Sequence, residues 1–446
     1  MGVNYYIMQA DKTTLTDLSI FNIEEEQSVF HYLNFTRTIG GKEWLRYFLN
    51  TPFSSIKDIT ETQQTIKKII SVSAQWQNTL VSNGTIMVVE KFYETGIEEI
   101  PHNPNYISSV YYSVFSAPDF SFIRYSVKHF KDFFIGLQQV IDLLQAENNP
   151  PLLQTLVEQI KIRLNKPGLQ ALLQFDNNKE ISKQQLLELG HFLKRRFKHE
   201  ALELVEIYSR LDAYYSMACA CNKYNLCFPT FIDAAVPVIK AAKLFHPLLP
   251  TPVAYDVTLN QKENFLFLTG ANMGGKSTFI KAVGVSVYLA HTGMGVPAQE
   301  MQLTLFDGLL SNINVVDNIV QGESYFFNEV QRIRKTIDKI SDGKKWLILI
   351  DELFKGTNVQ DAMKCSSTVI EGLLKIKNSL FILSTHLYEI GEGLKKYPNI
   401  QFKYFETSVA NDQLYFSYQL KDGISNDRLG YLILKREGVV EMLEKL

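Results

Sequence analysis

With 446 residues, 46% of them hydrophobic, the chain is long enough for two or three domains with sizeable cores. Lys and Arg (45) nearly balance Asp and Glu (47), leaving a net charge of −2; this excludes whole-chain attraction to nucleic acid, so any grip on DNA must come from local patches. No apolar run reaches membrane-spanning length and the first residues carry no signal-peptide pattern, so no membrane partner is expected and the cytoplasm is the expected location.

From about Asp17 to Ser71 the apolar spacing is helical, with a break at Asn50-Thr51-Pro52, where the residue before proline is pushed out of the helical region. Phe92-Tyr93-Glu94 has the Phe-x-Glu form of an aromatic wedge for DNA, but Phe92 is expected to pack a helix. Residues 103–117 show no clear period. Leu153, Leu156, Val157 and Ile160 recur at helical spacing up to a stop at Asn165-Lys166-Pro167-Gly168, and a second long helical stretch is predicted from about Ser182 to Asn225. Within it, Lys194-Arg195-Arg196-Phe197-Lys198-His199 is the densest basic run, either a solvated helix face or a phosphate-contacting one. Cys219, Cys221 and Cys227 do not match zinc spacing and read as reduced, buried thiols.

The chemistry is concentrated further on. The apolar run Phe265–Leu268 leads into Thr269-Gly270-Ala271-Asn272-Met273-Gly274-Gly275-Lys276-Ser277-Thr278, which fits G-x-x-x-x-G-K-[ST]. Glycines let backbone N–H groups curl around phosphate oxygens, and a helix beginning near Lys276 would aim its positive end at the same anion. Lys276 adds a full charge, and Ser277 offers the hydroxyl that completes a Mg²⁺ shell in such loops. A second run, Trp346–Ile350, ends in Asp351-Glu352: a buried strand delivering two carboxylates to its carboxyl end. Asp351 is expected to hold Mg²⁺, and Glu352 to orient and deprotonate the attacking water. A third run, Leu380–Leu383, ends in Ser384-Thr385-His386, whose imidazole is placed to meet the γ-phosphate or that water.

Taken in order, these runs resemble the ATPase domain of the MutS DNA mismatch-repair family. Thr269–Thr278 is similar to its Walker A, with Gly270, Asn272, Gly274, Gly275, Lys276, Ser277 and Thr278 as nucleotide-binding positions; Val296-Pro297-Ala298-Gln299 is similar to its V-P-A-Q. Asp351–Thr357 resembles its D-E-x-x-x-G-T and Ser384–His386 its [AS]-T-H. Gly322-Glu323-Ser324-Tyr325-Phe326 resembles the signature loop that reaches a partner subunit's γ-phosphate, which implies Gly322 and Ser324 as trans ligands, although Tyr325 replaces the usual Thr. Thr38-Ile39-Gly40-Gly41-Lys42 and the passage from Leu211 to Leu249 resemble the family's core and its entry from lever into ATPase domain. Asp422-Gly423 and Gly430 resemble a late D-G-x6-G element, and Tyr418 stands where it would serve either as an adenine-stacking ring or as a buried sheet tyrosine.

The resemblance implies an α/β P-loop (ABC-type) ATPase domain over 229–446, preceded by a mostly α-helical core and lever domain over 1–228, with no room for the family's mismatch-recognition, connector or clamp domains. It further implies Mg²⁺-dependent ATP hydrolysis at composite sites of a homodimer, coupled to lever movement and to DNA or repair-partner binding. The alternative is a nucleotide-switched scaffold for branched DNA or protein.

Overall fold

The computed structural model describes residues 7–145, 148–173, 181–271, 273–314, 325–410, 413–425, 434 and 438–444. The chain forms two compact units, one comprising Met1–Tyr32, Thr51–Thr60 and Tyr224–Leu446, the other Leu33–Asn50 and Glu61–Lys223. A single cut near residue 228 therefore does not describe the clustering, because two early segments join the carboxyl-terminal unit.

The chain opens with β1 (Gln9–Ala10), α1 (Lys12–Asp17) and α2 (Val29–Leu33). The second unit is helical: α3 (Ile39–Asn50), α4 (Ile56–Ile70, entering from the first unit), α5 (Ser73–Trp76), α6 (Asn83–Glu94), α7 (Tyr106–Phe115), α8 (Ala117–Leu144), α9 (Pro151–Leu164), α10 (Pro167–Leu173), α11 (Lys183–His191) and α12 (Lys198–Lys223). Pro151 and Pro167 stand at the first positions of their helices, where the missing N–H would have no intrahelical acceptor anyway. Phe92, Phe130, Phe133, Phe134 and Phe197 are fully buried and form the aromatic centre of this unit. Phe92 thus fills core, as expected.

Gly40 and Gly41 let α3 lie against α12. A β-carbon on Gly41 would stand 2.1 Å from Asp212 Oδ2, and one on Gly40 would stand 2.3 Å from Ser209 Oγ. Asp212 is buried and accepts hydrogen bonds from Arg37 N, Thr38 N (2.9 Å) and Thr38 Oγ1 (2.7 Å), satisfying donors at the start of α3. The glycine pair is a packing device.

The basic run is not a plain solvated face. Phe192–Arg196 forms a π-helical turn between α11 and α12, and Lys194 Nζ turns inward to Phe92 O and Thr95 O. Cys221 is buried, Cys219 and Cys227 are half-buried, and none of the three forms a disulfide; burial pushes the Cys219 and Cys227 thiols up, away from reactivity.

The first unit is mixed α/β. Its strands are β2 (Thr230–Ile232), β3 (Ile239–Leu244), β4 (Tyr255–Leu259), β5 (Phe265–Gly270), β6 (Glu300–Thr304), β7 (Gly308–Asn312), β8 (Trp346–Asp351), β9 (Ser379–Ser384), β10 (Ile400–Ala410) and β11 (Gln413–Asp422). Seven form one sheet in the order β1-β7-β8-β9-β5-β10-β11, parallel except for the β10–β11 hairpin; the other four form a smaller sheet, β2-β6-β3-β4. Helices α13 (Lys276–His291), α14 (Tyr325–Ile340), α15 (Val359–Leu373) and α16 (Glu389–Leu394) connect them. β8 and β9 are buried at every residue, as parallel strands covered on both faces must be. Trp346, Ile348 and Ile350 pack with Ile333 and Ile340 of α14 and Ile370 of α15 on one face. On the other, α13 approaches so closely that a β-carbon on Gly284 would stand 2.6 Å from Leu349.

Candidate functional site

Three parallel strands end side by side, and their carboxyl ends carry the residues singled out in the sequence. β5 pairs with β9, and β9 with β8, in a register that sets Asp351 opposite Ser384. Ser384 Oγ donates to Asp351 Oδ1, and Ser277 Oγ donates to Oδ2 at 2.5 Å, so one carboxylate joins the ends of β8 and β9 to the start of α13. Thr385 N bonds to Leu268 O and Glu352 N to Ser384 O, each at 3.0 Å, lacing the ends further.

The loop between β5 and α13 is shaped by backbone that side chains resist. Gly270 and Gly275 have φ of +133° and +105°, and Gly275 stands directly before the first turn of α13. A β-carbon on Gly274 would meet Ala271 O at 3.0 Å. Lys276 is 5% exposed and donates to Gly270 O (2.8 Å) and Ala271 O (2.9 Å), folding back over its own loop. Burial pushes its ammonium pKa below the usual lysine range, against the opposing pull of Glu352 and Asp351.

Glu352 is held from two sides. His386 Nε2 pairs with its Oε1, and Lys355 Nζ lies 2.8 Å from Oε2. Burial alone would raise this carboxyl, but the hydrogen bonds and charges of His386 and Lys355 outweigh it and hold the pKa at about 2. Lys355 is likewise depressed by burial but lifted further by Glu352, so it stays charged. The supporting backbone is strained: Glu352 and Phe354 have φ of +61° and +60°, each costing on the order of 1–3 kcal/mol.

That strained turn is anchored by a residue the motif reading did not single out. Glu329 of α14 is 4% exposed and accepts from Lys355 N (3.1 Å) and Gly356 N (3.2 Å). Burial pushes its carboxyl up, partly offset by those N–H groups. A β-carbon on Gly356 would stand 2.8 Å from Phe326 N, so the turn and the start of α14 touch backbone to backbone. The signal was present as a lone Glu at helical spacing, indistinguishable in sequence from the charged face of α14.

A cavity of about 440 Å³ opens beside these groups, lined among others by Met273, Gly275, Lys276, Thr278, Glu352 and Tyr418. Tyr418 is 41% exposed with φ +53°, at a register shift between β10 and β11, so the bulge turns its ring out into the cavity and away from the sheet core. A Gly275 β-carbon would stand 3.4 Å from that ring. The structure thus brings together Gly270, Gly274, Gly275, Lys276, Ser277, Thr278, Asp351, Glu352 and His386. Asn272, Gly322, Ser324 and Gly430 lie outside the described residues.

Residues 266–443 match the family model of MutS domain V. Over that stretch, less than half of its length, the chain is similar to the MutS family. It is 29% identical over 242 residues to the DNA mismatch repair protein MutS of Petrotoga mobilis, a match covering 53% of this chain and 29% of that protein. With the MutS of Pseudothermotoga lettingae it shares 30% over 233 residues (51% of this chain, 28% of that protein), and with that of Staphylococcus aureus 27% over 268 (57% and 30%). The chain therefore spans less than a third of the length of these MutS relatives. No helix is long and apolar enough to cross a membrane among the described residues.

The donor set suits Mg²⁺. The Ser277 hydroxyl, which lines the cavity, and the buried Asp351 carboxylate 2.5 Å from it are hard oxygen ligands of the kind that hold this ion together with substrate phosphates. Among the described residues no cluster of three His, Cys, Asp or Glu forms an all-protein metal cage.

Proposed function

We propose that this chain is a Mg²⁺-dependent ATP hydrolase of the P-loop, ABC-type class. The observation that carries the reading is that Ser277 and Ser384 both bond to Asp351 while Gly275, Lys276, Ser277 and Glu352 line one cavity. Backbone N–H groups at the start of α13, which have no intrahelical acceptor, bind the phosphates. Lys276 exchanges its loop carbonyls for phosphate oxygens. Ser277 and Asp351 would hold Mg²⁺, which when bound neutralises charge on the transferring phosphate. Glu352, fixed by His386 and Lys355, accepts a hydrogen bond from the attacking water and orients it in line. With a pKa near 2 it is a weak proton acceptor, which a loose phosphoryl-transfer transition state tolerates. Tyr418 offers a ring for stacking the base.

The working form in this reading is a homodimer in which Gly322 and Ser324 of the partner subunit complete each site. Nucleotide state is coupled through the helical unit as a lever to DNA or a repair partner, and the relatives' printed role in DNA mismatch repair supports DNA as the ligand. The helical unit serves as core and lever and the α/β unit as ATPase domain, in the cytoplasm. Lys276→Ala is expected to lose nucleotide binding. Glu352→Gln is expected to bind ATP and lower turnover by roughly a hundredfold or more. Undiminished turnover in either variant would refute the assignment.

One observation favours a second reading, a nucleotide-switched scaffold with slow hydrolysis: Glu352 is clamped on both oxygens. Turnover measured with mismatched, branched, single-stranded and no DNA separates the two. Stimulation by one DNA shape supports the coupled ATPase; uniformly slow turnover supports the scaffold.

A further inference from the structure

Helix α7 in the helical unit is well built and half uncovered. Asn105 and Ser108 form a reciprocal capping box, Ser109 Oγ returns to Asn105 O at 2.7 Å, and buried Tyr112 donates to Glu98 O at 3.2 Å. These contacts fix one side of the helix. On the opposite arc stand Tyr106 (78% exposed), Ile107 (78%), Tyr111 (62%), Val114 (62%) and Phe115 (71%), with Tyr111 and Phe115 stacked at 4.4 Å. Among the described residues nothing covers them.

We propose that this face binds the same face of a second copy of the chain, as an isologous helix pair. Area is the first argument: the five side chains expose together roughly 700 Å², close to the about 800 Å² that each partner contributes to a standard stable interface and above the usual largest patch on a monomer. Charge is the second. Tyr106–Phe115 contains no Lys, Arg, Asp or Glu, so the face offers nothing to phosphates and nothing to a charged peptide, while remaining complementary to itself. A helix lying on a membrane would carry basic residues along its polar side; α7 carries none. Polar groups sit at the rim, where Lys183 Nζ bonds to Ser113 Oγ at 2.9 Å, matching the apolar-centre, polar-rim pattern of protein interfaces. Tyr111, midway along the stripe, stands where a two-fold axis would bring a residue against its own copy.

The test uses the full chain without nucleotide, so that association at the ATP site does not contribute. Sedimentation velocity is expected to show concentration-dependent self-association, weakened at least about tenfold by Tyr111→Lys and by Tyr111→Glu separately. Mixing the two variants is expected to restore pairing, because opposite charges then meet across the axis; circular dichroism of each variant checks that the helices persist. A wild-type chain that stays monomeric at every concentration overturns the proposal. So does association untouched by either variant, a mixture no better than its components, or wild-type binding to phosphatidylserine vesicles in place of itself.

Discussion

At the level of single residues, the site rests on carboxylates whose neighbours differ more than their chemistry. Asp351 accepts two hydroxyls, Glu352 pairs with an imidazole and an ammonium, and Glu329 accepts two backbone N–H groups. Of the three, Glu352 alone lines the cavity. Replacing Glu329 with Gln keeps the volume but turns an amide N–H toward one of the two loop N–H donors, leaving a buried donor unpaired at a cost of about 1–3 kcal/mol. That cost falls on the strained turn bearing Glu352. Glu329→Gln is therefore expected to lower kcat about tenfold with little change in nucleotide affinity, and Glu329→Asp to recover less than half of the loss. Equal losses in binding and turnover, measured by nucleotide titration beside steady-state ATPase assays, would assign Glu329 a purely structural role.

At the level of elements, what could be read in advance was whatever local pattern dictates. The glycine loop, the all-apolar strands β5, β8 and β9 and the start of α13 at Lys276 follow from short runs whose periodicity and special φ values leave few options. Helix α8, with Phe120, Phe130, Phe133 and Phe134 buried along 28 residues, carried no stop signal or motif to single it out, and α7 lacked a period because its exposed arc is as apolar as its buried one. The π-helical turn at Phe192–Arg196 and the inward Lys194 depend on Phe92 and Thr95 about a hundred positions away. His291 is another such case. Fully buried at the end of α13, it pairs with Phe53 O at 2.9 Å through Nδ1 and accepts from Phe306 N at 3.3 Å through Nε2, tying the 51–60 segment to this unit. Burial pushes its pKa down to about 4, so the folded state resists a proton that the unfolded chain takes up near pH 6.5. Its contribution is full above pH 6.5 and is lost as pH falls toward 4, by up to about 3 kcal/mol. Denaturant titrations between pH 7 and 4 should show that fall, and His291→Gln should flatten it; an unchanged slope in the variant would remove His291 as its origin.

At the level of the whole molecule, two cores share one chain that crosses between units at Tyr32–Leu33, Asn50–Thr51, Thr60–Glu61 and Lys223–Tyr224. One crossing lies inside α4, which runs without a break from Ile56 to Ile70. The i→i−4 hydrogen bonds around Thr60 therefore link residues assigned to different units. Nucleotide binding provides the probe. A ligand that binds only the folded α/β unit at a hundred times its dissociation constant stabilises that unit by about 2.7 kcal/mol, a rise of roughly 5–10 °C for a domain of this size. If α4 transmits the ordering, calorimetry with Mg²⁺ and a non-hydrolysable ATP analogue should raise the transition of the helical unit as well, by a smaller amount, or merge the two into one. A Thr60→Pro variant, which lacks an N–H in mid-helix and breaks that continuity, should leave the helical transition where it lies without nucleotide while the α/β transition still rises. A helical transition that never moves, in the wild type as in Thr60→Pro, would show that the nucleotide's effect stops at the unit that holds it, and lever coupling would have to be abandoned.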